Sequence, residues 1–526
     1  MKKLYILAVF ALAIMPVAAQ DTYESARFLG NDLNGTARYV GMGGAMEALG
    51  ADLSTISTNP AGIGLFRKSA ASVSFGLVSQ QNAKKFDGLN KTNMSFDQVG
   101  FVYAARSGRN SFVNFGFNYH KSRNFDQILS AANQLNRVSQ NGLSYKKAEY
   151  GDVRMGGYDL AFNNQDDVMG FENATSDWRA QTYSQADYLN ANSLLLDPED
   201  HNFYVIDANE YNFDRSHRGW INEYDFNISG NVNDRFYWGV TFGLYDVNYK
   251  GYSEYAEGLV DKNGDAGLVV VGDQRRVKGS GFDMKAGIIF RPVEGSPFRI
   301  GLSVSTPTWY DLTTENATEM TNKSKYGAWD KGNSSESYDF KLYTPWKFGL
   351  SLGHTVGNYL ALGASYEYAD MAACQNRVIN GYDYYGYEDS YTDEVMKDNT
   401  EKSLKGVSSF KLGLEYKPDP ALAVRFGYNY VTATYNEDGS RNMMLDSPGV
   451  MYSSTTDYTN WGGTNRITCG LGYNIGQLNL DVAYQYSATN GTFYAFQDYN
   501  SNKRGMGATD VSNKRHQVLF TIGYRF

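Results

Sequence analysis

Cysteine, proline and histidine are scarce in this chain. Of its 526 residues two are Cys, ten are Pro and five are His. Cys374 and Cys469 alone exclude a disulfide-stapled scaffold. His120, His201, His217, His354 and His516 are scattered without metal-ligand spacing, so no metal site is expected. No Ser/His/acid arrangement stands out, so no catalytic residue and no enzyme activity are assigned. "GMGG" lacks the preceding strand and the spacing of a dinucleotide fingerprint. In "DKNGDAG" Gly264 is misplaced for a calcium loop, which leaves a turn. No cofactor is expected. Positive charge is also short: 48 Lys and Arg stand against 57 Asp and Glu, a net charge of −9, which argues against nucleic-acid binding. Beyond residue 19 there is no apolar run of the length a membrane helix needs. The mean hydropathy of −0.47 agrees.

What is present points outward from the cell. Lys2 and Lys3 precede an apolar stretch from Leu4 to Pro16, and Val17-Ala18-Ala19 offers small residues for cleavage. Residues 1–19 therefore read as a secretory signal peptide, with the mature chain starting near Gln20. The chain is rich in 42 Tyr, 29 Phe, 7 Trp and 54 Gly, a composition that favours β structure.

From Ser69 onward short segments alternate. Leu360, Leu362, Ala364, Tyr366 and Tyr368 interleave with Ala361, Gly363, Ser365 and Glu367. Leu422, Val424, Phe426, Tyr428 and Tyr430 do so with Ala423, Arg425, Gly427 and Asn429. Period two places each set on its own face of a strand, one greasy and one small or hydrated. A two-sheet sandwich would share this pattern. The segments, however, reach the roughly 9–11 residues of a tilted membrane strand, and the apolar sets end in aromatics.

Fourteen such segments can be counted, from 70–80 to 512–526. Short connections such as Val356-Gly357 alternate with long ones such as 81–94, 251–273 and 311–338. That is the plan of an all-β transmembrane antiparallel barrel, with tight periplasmic turns and long extracellular loops. An even strand count places both termini in the periplasm, in an integral barrel of a Gram-negative-type cell outer membrane. The last strand, "HQVLFTIGYRF", puts Val518, Phe520, Ile522, Tyr524 and Phe526 on one face. It resembles the terminal signal by which the outer-membrane assembly machinery recognises barrels.

A lumen of that width is too broad for side chains alone to fill. Residues 20–68 precede the first strand and are glycine-rich, which suits a hatch inside residues 69–526. The largest loop, 122–217, is expected to be partly helical. In it Phe125, Ile128, Leu129, Ala132, Leu135 and Val138 share a helical face, facing a second apolar stretch at 176–195. Phe125, Ile128, Leu129 and Leu135 are the candidate ligand-capture residues. Gly116, between Asn114 and Asn118 on the small face of strand three, is the candidate bend. Lys347, Lys411 and Arg425 on the same face of their strands are candidate contacts for a ligand carboxylate.

The stretch "ARYVGMGGAMEALGADLSTISTNPAGIGLF" resembles the N-terminal signature of FadL/TodX-type outer-membrane transporters of long-chain fatty acids and aromatic hydrocarbons. The matching residues are Gly41-Met42-Gly43-Gly44-Ala45, Ala51-Asp52 and Asn59-Pro60-Ala61. Over the rest of the chain the likeness is one of architecture. The resemblance implies passive uptake of hydrophobic small molecules: loop capture, movement of a hatch built on Gly41, Gly43, Gly44, Asn59, Pro60 and Ala61, then lateral release into the bilayer beside a kinked third strand. It implies a monomer whose partners are membrane lipid and the cargo. A barrel that anchors or shuttles surface-exported proteins is the alternative, and the hatch argues against an open porin.

Overall fold

In a computed structural model of the chain, residues 20–154, 158–163, 168–173, 184–197, 199, 204–327, 330–382, 388–499 and 507–526 are described. The expected leader, 1–19, and part of the expected second loop helix, 176–183, lie outside them.

Fourteen antiparallel strands form one closed wall. They are β1 (Ala70–Gln80), β2 (Thr92–Arg106), β3 (Phe112–Asn124, continued by Gln127–Gln134), β4 (Asp207–Val232), β5 (Phe236–Asp261) and β6 (Gly264–Phe290). Then come β7 (Arg299–Ser305 and Trp309–Asn322), β8 (Lys331–Tyr343 and Lys347–Val356) and β9 (Leu360–Asp370 and Gln375–Tyr382). The last five are β10 (Gly406–Tyr416), β11 (Leu422–Val431), β12 (Tyr458–Ile475), β13 (Leu478–Tyr494) and β14 (Thr509–Arg525). β14 pairs with β1 from Ala70↔Arg525 to Gln80↔Arg515, so the sheet has no free edge. That closure is what hydrocarbon requires of a sheet.

The outer face near the turn end is a belt of large apolar side chains. Phe96, Phe242, Phe282, Phe348, Leu412, Phe426 and Ile467 are all exposed there. So much contiguous apolar surface suits lipid, not water. Along β5 the alternation reverses. Phe236, Phe242 and Leu244 point out, but Asp246, Lys250 and Glu254 follow on the same face. Inward, Gly239, Thr241 and Gly243 give way to Tyr245, Val247, Tyr249, Tyr255 and Leu259. The swap marks the edge of the hydrocarbon: beyond it the exterior is wet and the interior becomes an ordinary core.

Two expectations are corrected by this extension. Much of the long connections 251–273 and 311–338 is not loop, because β5–β6 and β7–β8 run out as paired hairpins, the first with its tip at Asp261↔Gly264. The helix expected over 124–138 is instead a strand: Gln127–Gln134 pairs with His217–Glu210. The extended edge of β4 offers unpaired backbone groups, and pairing them outweighs the helical spacing of the apolar residues. At 184–195, helical turns Gln185–Asn190 and Ala191–Leu195 do form.

The wall is broken at one level. Thr306-Pro307-Thr308 interrupts β7 and Thr344-Pro345-Trp346 interrupts β8, each at a residue with no N–H to donate. Threonines patch the β7–β8 seam: Thr308 N donates to Thr344 Oγ1 at 2.8 Å, and Thr344 N to Thr308 O at 3.1 Å. The β8–β9 seam is not patched. Its ladder stops at Lys347↔Ala369 and resumes at Tyr343↔Gln375, with a helical turn, Met371–Ala373, bulging between.

Candidate functional site

Residues 20–66 lie inside the wall as a chain of short helical turns, all but Ala26–Phe28 started by a polar cap. Asp21 accepts from Tyr23 N and Glu24 N, Thr36 from Tyr39 N, Asp52 from Ser54 N, and Asn59 from Ala61 N. Pro60 opens the last turn, where a missing N–H costs nothing.

This hatch sits on glycines of the wall. A Cβ added at Gly239 would collide with Pro60 O, and one at Gly287 with the Asn59 side chain. Across the lumen, Gly363, Gly413 and Gly427 meet Ala45 O, Met42 O and Gly43 N in the same way. Gly43 and Gly44 themselves adopt φ of 63° and 81°, where a side chain would be strained. Gly41 approaches Gly470, and its carbonyl accepts from Thr468 Oγ1 at 3.1 Å. Asn114 holds the Asn59-Pro60-Ala61 turn from β3: its Nδ2 donates to Ile63 O at 2.7 Å and to Phe66 O at 3.1 Å. Of the six hatch residues singled out in the sequence, Gly41, Gly43, Asn59, Pro60 and Ala61 meet the wall, and Gly44 packs on Leu33 and Tyr39 of the hatch itself.

Gly116 marks no break in the pairing of β3. The strand pairs without interruption from Phe112 to His120 with β2 and from Phe112 to Lys121 with β4. Its irregularity falls between Lys121 and Arg123. Gly116 instead makes room for Ile56 and Ile63, which would lie 3.3 and 3.5 Å from a Cβ there. Asn118 accepts from Gln98 Nε2 at 2.8 Å within the wall.

Ion pairs pin the hatch at both ends. Arg38 binds Glu415 at 2.9 Å, Arg425 joins Glu415 at 2.7 Å and Asp481 at 2.5 Å, and Lys411 binds Glu47 at 2.8 Å. Two of the three candidate carboxylate contacts are thus already paired with carboxylates of hatch and wall. Lys347, at the β8 break, is half-buried, and none of the three lines the cavity described below. At the other end Arg441 binds Asp21 at 2.6 Å and Glu24 at 3.1 Å, and Glu24 also pairs with Arg275. Thr22 Oγ1 meets Thr400 Oγ1 at 2.9 Å, in the helix Glu394–Ser403 between β9 and β10. Gln20 and its neighbours are buried among loop-end residues, whereas Phe526 donates its N–H to Ser69 O at the turn end.

Between these two anchored ends a cavity of about 270 Å³ opens in the lumen. Its apolar wall includes Leu29, Phe125, Tyr23, Tyr435, Tyr458 and Trp461. Tyr23 stacks on Tyr435 at 5.2 Å and tilts onto Tyr458 at 5.1 Å. Phe125 packs on Phe28 and Tyr249 at 5.6 and 5.2 Å. Of the expected capture residues only Phe125 lines the cavity; Ile128, Leu129 and Leu135 are buried at its loop-side flank. The polar wall includes Arg27, Arg123, Arg215, Arg466 and Arg515.

A second ionisable cluster lies in the wall. Ligand-type atoms of His120, Glu223 and Asp225 fall within 4.8 Å of one another. Lys285 Nζ already supplies positive charge there, at 2.8 Å from Glu223, 3.3 Å from Asp225 and 2.7 Å from Asp283. We read it as a structural network, not a cation site.

Above the membrane belt, Glu257 accepts from Gln140 N at 2.7 Å and from Tyr255 Oη at 2.5 Å, fixing the start of the loop helix Gln140–Arg154. Burial pushes its carboxyl up to about 7. A raised carboxyl favours the neutral form when folded. Its contribution is complete below about 4.5 and is lost as pH climbs through about 7, on the order of 3 kcal/mol in all. Protection of the amides around Gln140, corrected for their intrinsic exchange rates, should therefore be greater at pH 5 than at pH 8, and Glu257→Gln should flatten that difference.

No family model and no curated protein matches this chain. Among solved structures it is similar to a Pseudomonas aeruginosa FadL homologue, at 11% identity and a TM-score of 0.49, over 95% of this chain and 99% of that one. It is also similar to the Ralstonia pickettii toluene transporter TbuX, at 13% identity and a TM-score of 0.46, over 94% and 99%. The Pseudomonas putida toluene transporter TodX compares at 10% identity and a TM-score of 0.45, over 95% of this chain and 100% of that one.

Proposed function

We propose that the chain is an integral outer-membrane transporter through which small hydrophobic or amphiphilic molecules pass without an energy source. The observation that carries this reading is the cavity between the pinned ends of the hatch: a partly apolar chamber inside a closed, lipid-exposed wall. The N-terminal resemblance points the same way. The ligand enters from the loop end and occupies the chamber, and hatch movement lets it leave. Sideways release uses the unpatched β8–β9 seam, because Met371 lines the chamber there while Trp346 and Tyr368 face outward on either side. No chemistry is performed on the cargo.

The test is uptake of labelled oleate and labelled toluene by cells that lack their own transporter, with and without this chain. Accumulation above the empty control is expected for at least one of the two; equal accumulation with and without the chain refutes the reading. A second measurement addresses the hatch. Asn59→Ala removes the cap on Ala61 N, which costs about 1 kcal/mol, and the bond to Ile288 O at 3.5 Å. Its ion leak in planar bilayers should exceed that of the parent chain.

A further inference from the structure

The chamber carries more positive charge than a neutral cargo needs. Its lining holds five guanidinium groups against three carboxylates, those of Asp32, Asp97 and Asp457. Asp457 is engaged by Arg215. Asp97 accepts from Asn34 at 2.9 Å and from Ser95 at 2.7 Å. Asp32 faces Arg123, Arg466 and Arg515 together, and the Asp126 carboxylate, outside the lining, also faces Arg515. Among the described residues none of these three, nor Arg27, has a carboxylate within 4.0 Å. Their bonds go to neutral groups: Arg27 to Tyr249 Oη at 3.1 Å, Arg123 to Gly30 O at 2.8 Å, Arg466 to Asn429 Oδ1 at 2.8 Å and Arg515 to Asp126 O at 3.1 Å.

Like charges gathered in a partly enclosed site repel one another and lose hydration. Each of these four guanidiniums is held by a single neutral acceptor and has further N–H groups for a second one. An oxyanion is the ligand that satisfies them, and guanidinium forks match planar or tetrahedral oxyanions in pairs. The imbalance exceeds one charge. The aromatic wall formed by Tyr23, Tyr435, Tyr458 and Trp461 lies beside the arginines in the same chamber.

We propose that the chamber binds a doubly charged oxyanion, a phosphomonoester or its equivalent, in preference to a singly charged carboxylate or a neutral compound. This rests on the transport reading for the ligand's route but not for its binding. The source of the anion is either the head of an amphiphile seated on the aromatic wall or a free inorganic anion.

The experiment is calorimetric titration of the full chain in nanodiscs of neutral lipid with hexyl phosphate, hexanoate, hexan-1-ol and inorganic phosphate at pH 8. Hexyl phosphate should bind about tenfold or more tightly than hexanoate, with hexan-1-ol weaker still. Tighter binding of hexyl phosphate than of inorganic phosphate identifies an amphiphile, and equal binding of the two identifies a free anion. The double variant Arg466→Gln, Arg515→Gln should erase most of the phosphate preference while keeping the heat-shifted gel mobility of a folded barrel. Equal affinity for phosphate, carboxylate and alcohol in the unaltered chain overturns the proposal without any variant. Uptake of toluene with no phosphate preference leaves transport standing and this inference fallen. Phosphate binding with no uptake of any compound does the reverse.

Discussion

Removing residues 20–66 while leaving the fourteen strands in place should turn a closed barrel into a conducting one. The wall does not depend on the hatch for its backbone hydrogen bonds, because β1 pairs with β14 along its whole length. The side chains that would line the emptied lumen are small or hydrated. Gly239, Gly287, Gly363, Gly413 and Gly427 present only backbone once Pro60, Asn59, Ala45, Met42 and Gly43 are gone. The charges that the hatch leaves behind do not stay buried and bare: Glu415 keeps Arg425 at 2.7 Å, and Lys411, Arg275 and Arg441 become wet. A hydrated lumen of this strand number is a water-filled pore. Planar-bilayer recording should show steady open-pore conductance from the shortened chain and a closed level from the parent. A shortened chain that folds and yet stays closed would mean that the loops, not the hatch, seal the lumen.

Lys285→Ala should be the most destabilising single substitution in the wall. The Lys285 ammonium reaches Glu223, Asp225, Asp283 and Tyr245 Oη, the last at 3.1 Å. Glu223 and Asp225 are fully buried, and the oxygen of each that Lys285 does not reach has no hydrogen-bond partner. Without the lysine three carboxylates share a buried site with no cation beside them except a histidine that must first take up a proton. Breaking a buried ion pair from one side costs about 3–5 kcal/mol. The temperature at which the folded form loses its fast gel mobility should fall markedly. Lys285→Met combined with Glu223→Gln, Asp225→Asn and Asp283→Asn should recover most of the loss, because both sides of the network are then neutral. An unchanged transition for Lys285→Ala would show that the cluster is hydrated and contributes nothing.

The lipid-facing half of each strand was legible in the sequence because hydrocarbon outside and a hatch inside impose strict alternation. Leu422, Phe426 and Tyr428 against Gly427 and Asn429 is such a case. The loop-end half was not legible by the same rule. Past Leu244 the outside is water and the inside is packed, so greasy and polar faces exchange places within one strand. The stretch around Ile128, Leu129 and Leu135 misled for a different reason: its spacing satisfies a helix, and only the unpaired partner at Tyr211–His217 makes it a strand. Asn59-Pro60-Ala61 marked the hatch because a side-chain cap followed by proline is a local signal. Arg466 and Arg515 could be placed in the lumen because each lies an odd number of residues from outward-facing Ile467 or Phe520. Arg27 and Arg123 could not, since one sits on an irregular segment and the other beside a bulge.

The route of the hatch sets an order of events in assembly. From Asp21 and Thr22, held by Met396, Thr400, Arg441 and Ser453, the segment runs the length of the lumen to Phe66 beside the first strand. A ribbon laid lengthwise through a hoop of paired strands, with carboxylates locked to arginines at one end and glycine-seated turns at the other, is hard to thread after the hoop is shut. The β1–β14 seam is therefore expected to zip last, around an N-terminal ribbon already in place.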